Sequence, residues 1–286
     1  MGYGDDLMIT AFAAEQKKKN PNKQIVIGSV KDNSANHSII YENNPNITNL
    51  NKIDKNKEIL IINYNEGNRP YINYKHSYPG KYIWNEKFRP TPGELYFNAD
   101  EIKKSDLIFY QAKKFWNKKN PNKKYKGIIF VETSSTKTAN IQLGYKHLNK
   151  EWGFENWKKL INKIKNNFLL IHSVHENTKS IEGIFSPQNI NFRLACAILK
   201  NCNIYLGPEG GFSHVAAALR KKAVVYFGGW ISPKIIGYEF HENIYYENPS
   251  SPCGITKNIC THCNEARDSI TVEFVESKIK KIFNIL

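Results

Sequence analysis

Residues 207–214 read Gly-Pro-Glu-Gly-Gly-Phe-Ser-His, followed by Val215-Ala216-Ala217-Ala218-Leu219. An apolar run, Ile204-Tyr205-Leu206, precedes this turn, and a second, Ala223-Val224-Val225-Tyr226-Phe227-Gly228-Gly229, succeeds it. That order predicts strand, glycine-rich turn, helix and strand, the unit of a parallel sheet with crossover helices. Such a sheet carries Glu209, the glycines and His214 at the carboxyl end of a strand, where open α/β sheets bind ligands. The first N–H groups of a helix opening there have no partners inside the helix and point at whatever docks. Gly210 and Gly211 carry no side chain to hold an anion away from the backbone. The motif alone predicts a pocket for an anionic ligand, with a carboxylate and an imidazole to orient it.

Strand and helix patterns alternate elsewhere too. Gln24-Ile25-Val26-Ile27-Gly28, Glu58-Ile59-Leu60-Ile61-Ile62 and Asp106-Leu107-Ile108-Phe109-Tyr110 are strand candidates in the first half. Residues 69–97 hold Tyr71, Tyr74, Tyr78, Tyr82, Trp84 and Phe88 among prolines, which argues against a long regular element. Two readings suit that stretch, an acceptor-binding loop region or a satellite core beneath a long loop. The polar run at residues 117–124, with Pro121, marks a boundary between a domain of residues 1–122 and one of residues 123–286. The second half restarts with Gly127-Ile128-Ile129-Phe130-Val131. Trp157, Leu160, Ile161 and Ile164 are spaced for one helix face, and Phe168-Leu169-Leu170-Ile171-His172 reads as the next strand. Phe192, Ala195, Ile198 and Leu199 mark another helix. Val275, Ile279, Ile282 and Phe283 mark an amphipathic last helix, free to pack back on the first half. The fold class predicted is α/β, two Rossmann-like parallel-sheet domains facing a cleft. A doubly wound domain places a strand before its first glycine-rich loop. Here the chain opens at Gly2-Tyr3-Gly4-Asp5-Asp6, so that strand is missing, and a truncated or misassigned start is the favoured explanation.

The formal net charge of +15 favours an anionic partner, unless scattered, solvated lysines account for it. No nucleic-acid-binding module accompanies the charge, so nucleic acid ranks last among partners. No apolar run is long enough to span a bilayer, and the acidic amino terminus is unlike a secretory signal. The expectation is a cytoplasmic protein that can rest on the inner face of an anionic membrane. The five cysteines make no disulfide scaffold in a chain of 286 residues. Cys196 and Cys202 read as small core residues. Cys253, Cys260 and Cys263, with His262, supply only one CxxC where a structural zinc site needs four ligands, so no metal and no cofactor are assigned.

The stretch from Gly207 to Leu219, with Val224-Val225-Tyr226-Phe227-Gly228 after it, resembles the donor-site signature of glycosyltransferase family 9. These are the heptosyltransferase-like enzymes with the two-Rossmann GT-B fold. Gly4-Asp5-Asp6-Leu7 resembles the family's amino-terminal loop, and Lys150-Glu151-Trp152 its Lys-x-Trp element. Order and rough spacing agree across nearly the whole chain. The chain departs from the pattern at Glu209, where Asp is usual, and at Gly210, where a hydroxyl residue is common. Residues 132–149 also form a longer link than usual.

The resemblance implies an inverting, metal-independent transfer of a sugar from a nucleotide-diphosphate donor to a hydroxyl of a cell-surface glycan or lipopolysaccharide. Asp5 is then the base for the acceptor proton, with Asp6 as a lesser candidate. Helix capping is the alternative for Asp5. Lys150 pairs with donor phosphate or is one surface lysine among many. Thr133, Ser134 and Ser135, with Lys137 as a weaker neighbour, reach the same phosphate. The N–H groups of Gly210 and Gly211 hold the diphosphate. Glu209 accepts from sugar hydroxyls or caps a helix, and His214 orients the donor or is a satisfied core histidine. A nucleotide-sugar epimerase of the same fold and a degenerate, non-catalytic nucleotide-sugar-binding protein are the competing readings.

Overall fold

The computed structural model describes residues 2–65, 67–134, 149–174, 178–258 and 260–285. Helix α1 (Tyr3–Lys19) buries Leu7, Met8 and Ala13 and ends in Lys17, Lys18 and Lys19, which suit the negative end of a helix dipole. Strand β1 (Gln24–Ser29) pairs in parallel with β3 (Ile59–Asn63), Gln24 facing Ile59 and Gly28 facing Asn63. The short β2 (Ser34–Ala35) runs antiparallel on the other edge of β1, so this first sheet is mixed rather than wholly parallel. Gly28 is required at that edge, because a Cβ there would lie 1.9 Å from the Ser34 carbonyl oxygen.

The strand expected at residues 106–110 is instead the middle of a helix, α2 (Ala99–Lys119). Asn98 and Glu101 form a reciprocal cap: the Glu101 N–H donates to Asn98 Oδ1 at 2.8 Å and the Asn98 N–H to Glu101 Oε2 at 2.9 Å. That cap starts a helix whose buried Ser105, Ala112 and Trp116 share one face, and this long periodicity outweighs a five-residue apolar run. Helix α2 lies against the second half. The Trp116 indole N–H donates to the Phe168 carbonyl at 3.0 Å.

The second sheet is wholly parallel, ordered β5 (Leu169–His172), β4 (Ile128–Val131), β6 (Ile204–Pro208), β7 (Lys222–Gly228), β8 (Glu242–Tyr245). Both faces of its central strands are covered, hence their unbroken apolar runs. Ile129, Val131, Ile204, Leu206 and Val224 face one core with α3 (Phe154–Ile164) and α6 (Val272–Ile282). Val275 and Ile279 of α6 are buried in this core, and the Phe283 ring lies tilted against Phe168 with centroids 4.9 Å apart. Phe130, Tyr205, Val225 and Phe227 face the other core, with α4 (Phe192–Asn201) and α5 (Gly211–Ala218). That core runs on into the first half through Leu7, Ile25, Ile27 and Ile40.

Arg193 on α4 clamps the two halves together. Its guanidinium pairs with the Glu101 carboxylate and donates to the carbonyls of Ile39 at 2.7 Å and Tyr96 at 2.6 Å. Only 4% of its side chain is exposed. Removing one partner of a buried, hydrogen-bonded charge pair typically costs about 3 kcal/mol or more. Arg193→Ala should therefore lower the stability measured by urea unfolding by about 3 kcal/mol. Arg193→Lys should recover little of it, since an ammonium cannot reproduce the planar fork. An Arg193→Ala protein as stable as the wild type would show that the halves are joined by apolar packing alone.

Candidate functional site

The glycine-rich turn stands at the carboxyl ends of β4 and β6. The Tyr205 hydroxyl, shared between Glu132 Oε2 and the Pro208 carbonyl at 2.8 Å each, ties those two ends together. The Glu209 N–H donates to the Tyr226 carbonyl at 2.8 Å, which fixes the turn on the neighbouring strand. Helix α5 then opens at Gly211, and its first N–H groups have no carbonyl acceptors inside the helix. The Gly210 N–H is taken by Ser213 Oγ at 3.2 Å. A Cβ built on Gly210 would meet nothing within 4 Å, so the space before the turn is open.

Glu209 is buried, and its carboxylate is held from two sides. Lys150 Nζ is ion-paired with Oε2, and His214 Nε2 stands 3.6 Å from Oε1. The other ring nitrogen of His214 pairs with the Tyr238 hydroxyl at 2.9 Å. Lys150 also lies 5.1 Å over the centroid of the Trp230 ring, a cation–π contact. Burial by itself would raise the Glu209 pKa, but Lys150 and His214 outweigh it and draw the carboxyl down to about 2. Glu209 therefore belongs to a charged row, and the cap on Gly210 is supplied by Ser213. Thr133 lies at the end of β4, and its hydroxyl pairs with His172 Nε2 at 3.1 Å. Ser134 follows it, half-buried. Ser135 and Lys137 lie outside the described residues.

Asp5 approaches from the first half. Gly4 packs so closely on the turn that a Cβ there would lie 2.8 Å from His214 Cδ2 and 3.6 Å from Gly211 Cα. The Asp5 carboxylate accepts from the Tyr71 hydroxyl at 2.6 Å and pairs with Arg69 Nε at 3.3 Å. It also accepts from the Gly2 N–H at 3.3 Å, so the capping role is present in part. Asp6 points elsewhere. Ser38 Oγ donates to it at 2.7 Å and the Tyr41 hydroxyl at 3.2 Å, which fastens α1 to the first half. Burial pushes the Asp6 carboxyl up against the pull of those two hydrogen bonds.

The structure thus gathers Asp5, Lys150, Glu209, Gly210, Gly211 and His214, with Thr133 and Ser134 on the adjoining strand end. It adds Trp230 and Tyr238, to which no motif pointed, and it aims Arg69 and Tyr71, of the aromatic stretch at residues 69–97, at Asp5. A signal for Arg69 exists: only five of the 41 Lys and Arg residues are arginine. Arginine kept in so lysine-rich a chain marks a place where a planar, multi-donor cation is needed. Arg69 and Arg193 both meet that description.

A second cluster corrects the expectation that neither metal nor cofactor is involved. The thiols of Cys253, Cys260 and Cys263 are buried, and their sulfurs lie within 4.8 Å of one another. Cys253 Sγ and Cys263 Sγ are 3.2 Å apart. Metal–sulfur bonds of about 2.3 Å in a tetrahedral site require sulfur separations of about 3.8 Å, so the three residues fit a thiophilic cation with a fourth position to fill. Single CxxC spacing understated this, because Cys253 reaches the pair only through the fold. His262 is not turned toward the thiols: its ring pairs with Asn248 Nδ2 at 3.0 Å and Ser251 Oγ at 2.6 Å. The hydrogen bond from Cys263 lowers the Cys253 pKa, and the same contact, with burial, raises that of Cys263.

No family model and no characterised protein sequence matches the chain. Solved structures match in fold. A glycosyl transferase family 9 protein from Veillonella parvula is similar over 99% of this chain and 95% of that one, at 12% identity and a TM-score of 0.56. The ADP-heptose LPS heptosyltransferase II of E. coli matches over 76% of this chain and 58% of that one, at 14% identity and a TM-score of 0.44. TibC, an iron-containing dodecameric glycosyltransferase of enterotoxigenic E. coli, matches over 68% of this chain at 14% identity and a TM-score of 0.45. The chain spans about half the length of the TibC chain, 51% of it. The architecture is thus the two-domain, Rossmann-like GT-B type.

The depressed carboxyl of Glu209 carries a pH signature. Its usual value is 4.5 and its folded value about 2. The folded state therefore gains stability that is fully present above pH 4.5 and is lost as pH falls toward 2. The gap corresponds to about 3 kcal/mol. Urea midpoints measured across that acid range should fall for the wild type, and Glu209→Gln should lose this part of the acid dependence. Parallel acid limbs in the two proteins would show that the ion pair contributes nothing to stability.

Proposed function

We propose that the chain is a glycosyltransferase that takes a sugar from a nucleoside diphosphate donor and passes it to a hydroxyl of a glycan acceptor. The contact of Gly4 with His214 and Gly211 carries this reading. It sets a buried carboxylate from one half beside an open, glycine-lined helix start from the other. Transfer needs a group to accept the acceptor's proton and positive dipoles to receive the leaving diphosphate. Asp5, its direction set by Arg69 and Tyr71, takes the hydroxyl proton. The acceptor oxygen bonds the anomeric carbon as the bond from that carbon to the diphosphate oxygen breaks. The diphosphate leaves against the N-terminus of α5 and the Lys150 ammonium. Glu209 and His214 face the sugar's hydroxyls and hold Lys150 in place. The similarity to glycosyltransferase structures supports the reading through the fold they share.

We place this work in the cytoplasm at an anionic membrane face. No helix among the described residues is long and apolar enough to cross a membrane. Helix α2 exposes Lys103, Leu107, Tyr110, Lys114 and Lys118 along one stripe, a pattern suited to such a surface.

Calorimetry with ADP, GDP, UDP and TDP should find one that binds. Gly210→Ala should weaken that binding about 10-fold with an unchanged melting temperature, because its methyl group enters only the open space before the turn. Asp5→Asn should keep nucleotide affinity within about twofold and abolish sugar transfer. If no nucleoside diphosphate binds, the reading is wrong. If binding is found but Asp5→Asn transfers sugar at the wild-type rate, Asp5 is not the base.

A further inference from the structure

The thiol-bearing loop and the donor-side lysine belong to one hydrogen-bonded unit. Asn149, next to Lys150 in the chain, directs its whole amide at that loop. Its Oδ1 accepts from the Cys260 N–H at 2.8 Å, and its Nδ2 donates to the carbonyls of Ile255 at 3.1 Å and Asn258 at 3.0 Å. The loop has a second hold on the same place. The Trp230 indole N–H donates to the Ile255 carbonyl at 2.8 Å, and the face of that ring carries the Lys150 ammonium. The Cys253 and Gly254 N–H groups close back on the carbonyls of Gly229 and Trp230, at 3.0 and 3.2 Å.

We propose that Asn149 is a positioning residue. A thiophilic divalent cation held by Cys253, Cys260 and Cys263 closes the loop, and Asn149 transmits that closure to Lys150, setting the ammonium that receives the donor's diphosphate. The inference rests on the reading of Lys150 as a donor-binding residue. Thiols bound to a cation are deprotonated, and three thiolates drawn together in a buried site repel unless that cation neutralises them. The closed loop is what supplies Asn149 with one donor and two acceptors at fixed positions. With the loop open, Asn149 has no such frame, Trp230 loses its indole partner, and Lys150 is left with its ion pair to Glu209 alone to direct it. The cation so placed touches neither donor nor acceptor. It acts through the loop, as residues beyond the immediate ligands commonly do in metal sites, where their loss costs about 10- to 100-fold.

The test uses the full chain, its bound metal quantified and its affinity for ADP, GDP, UDP and TDP measured by calorimetry. The metal-loaded wild type should bind one of them. Stripping the metal with a chelator under reducing conditions should weaken that affinity about 10-fold, and zinc or ferrous iron should restore it. Cys260→Ser should behave like the stripped protein. Asn149→Ala should still take up cobalt(II) and show the thiolate-to-cobalt absorption band, yet bind nucleotide as weakly as the stripped wild type. Metal removal should then cost Asn149→Ala and Lys150→Ala nothing further. Should Asn149→Ala misfold, Trp230→Phe removes the indole hydrogen bond while keeping an aromatic face toward Lys150, and should lose affinity several-fold with the cobalt band intact. A protein that takes up no metal, a nucleotide affinity indifferent to stripping, or a Lys150→Ala protein whose affinity still falls on stripping would each overturn the coupling. A metal-loaded wild type that binds none of the four nucleotides would instead overturn the donor reading on which the coupling rests.

Discussion

The close contact between Gly4 and the His214–Gly211 turn is the constraint on which the site depends. It brings the first turns of α1 and α5 together, and both are the positive ends of helix dipoles. Asp5 and Asp6 in the first turn of α1, with Glu209 just before α5, set negative charge beside those two ends. Aromatic packing around the contact keeps the halves in place: Tyr3 lies 4.5 Å from Phe192, and Phe192 stacks 4.8 Å from Phe212. A side chain at position 4 would press on the His214 ring and force it from its place between Glu209 and Tyr238.

Around that contact the site is built as a relay of paired groups. Trp230, Lys150, Glu209, His214 and Tyr238 form one row, and Arg69, Tyr71 and Asp5 form another. The stretch of residues 69–97 links them. Tyr71 reaches Asp5, while the Tyr82 N–H donates to the Gly254 carbonyl at 2.9 Å and the Thr256 N–H to the Gly80 carbonyl at 2.8 Å. Trp84 packs 4.9 Å from Trp230 within the same stretch. The segment's buried Trp84 belongs to the large core that runs through both halves, with Tyr71, Tyr82 and Phe88 packed against it, and the Tyr71 hydroxyl reaches Asp5. Gly254 makes the link feasible. Its φ of +64° lies in the left-handed region, and a Cβ there would come 2.1 Å from the Tyr82 carbonyl oxygen.

How far the sequence could be read depended on how local each signal was. The turn at residues 207–214 was legible because strand, turn and helix are contiguous, and their order alone sets Glu209 and the glycines at a strand's carboxyl end. The run at residues 106–110 misled because five apolar residues satisfy strand and helix alike, and the decision lay in Asn98 and Glu101, well upstream. The three thiols were named together, but the metal was set aside for a related reason. Cys260 and Cys263 are near in sequence, whereas Cys253 joins them through a loop whose shape is set by Trp230, Asn149 and Tyr82.

The sequence by itself determined the alternating strand and helix order of the second half, its parallel sheet, the open glycine turn and the place of Glu209 and His214 beside it. Each follows from short-range periodicity and from what glycine permits. Only the tertiary structure decided which groups pair. It set Lys150 on Glu209, His214 between Glu209 and Tyr238, Arg69 and Tyr71 on Asp5, and the three thiols on one another. Lys150 and Glu209, like Asp5 and its partners Arg69 and Tyr71, stand dozens of positions apart in the chain, and such pairs form where burial leaves a charge or polar atom no water to turn to.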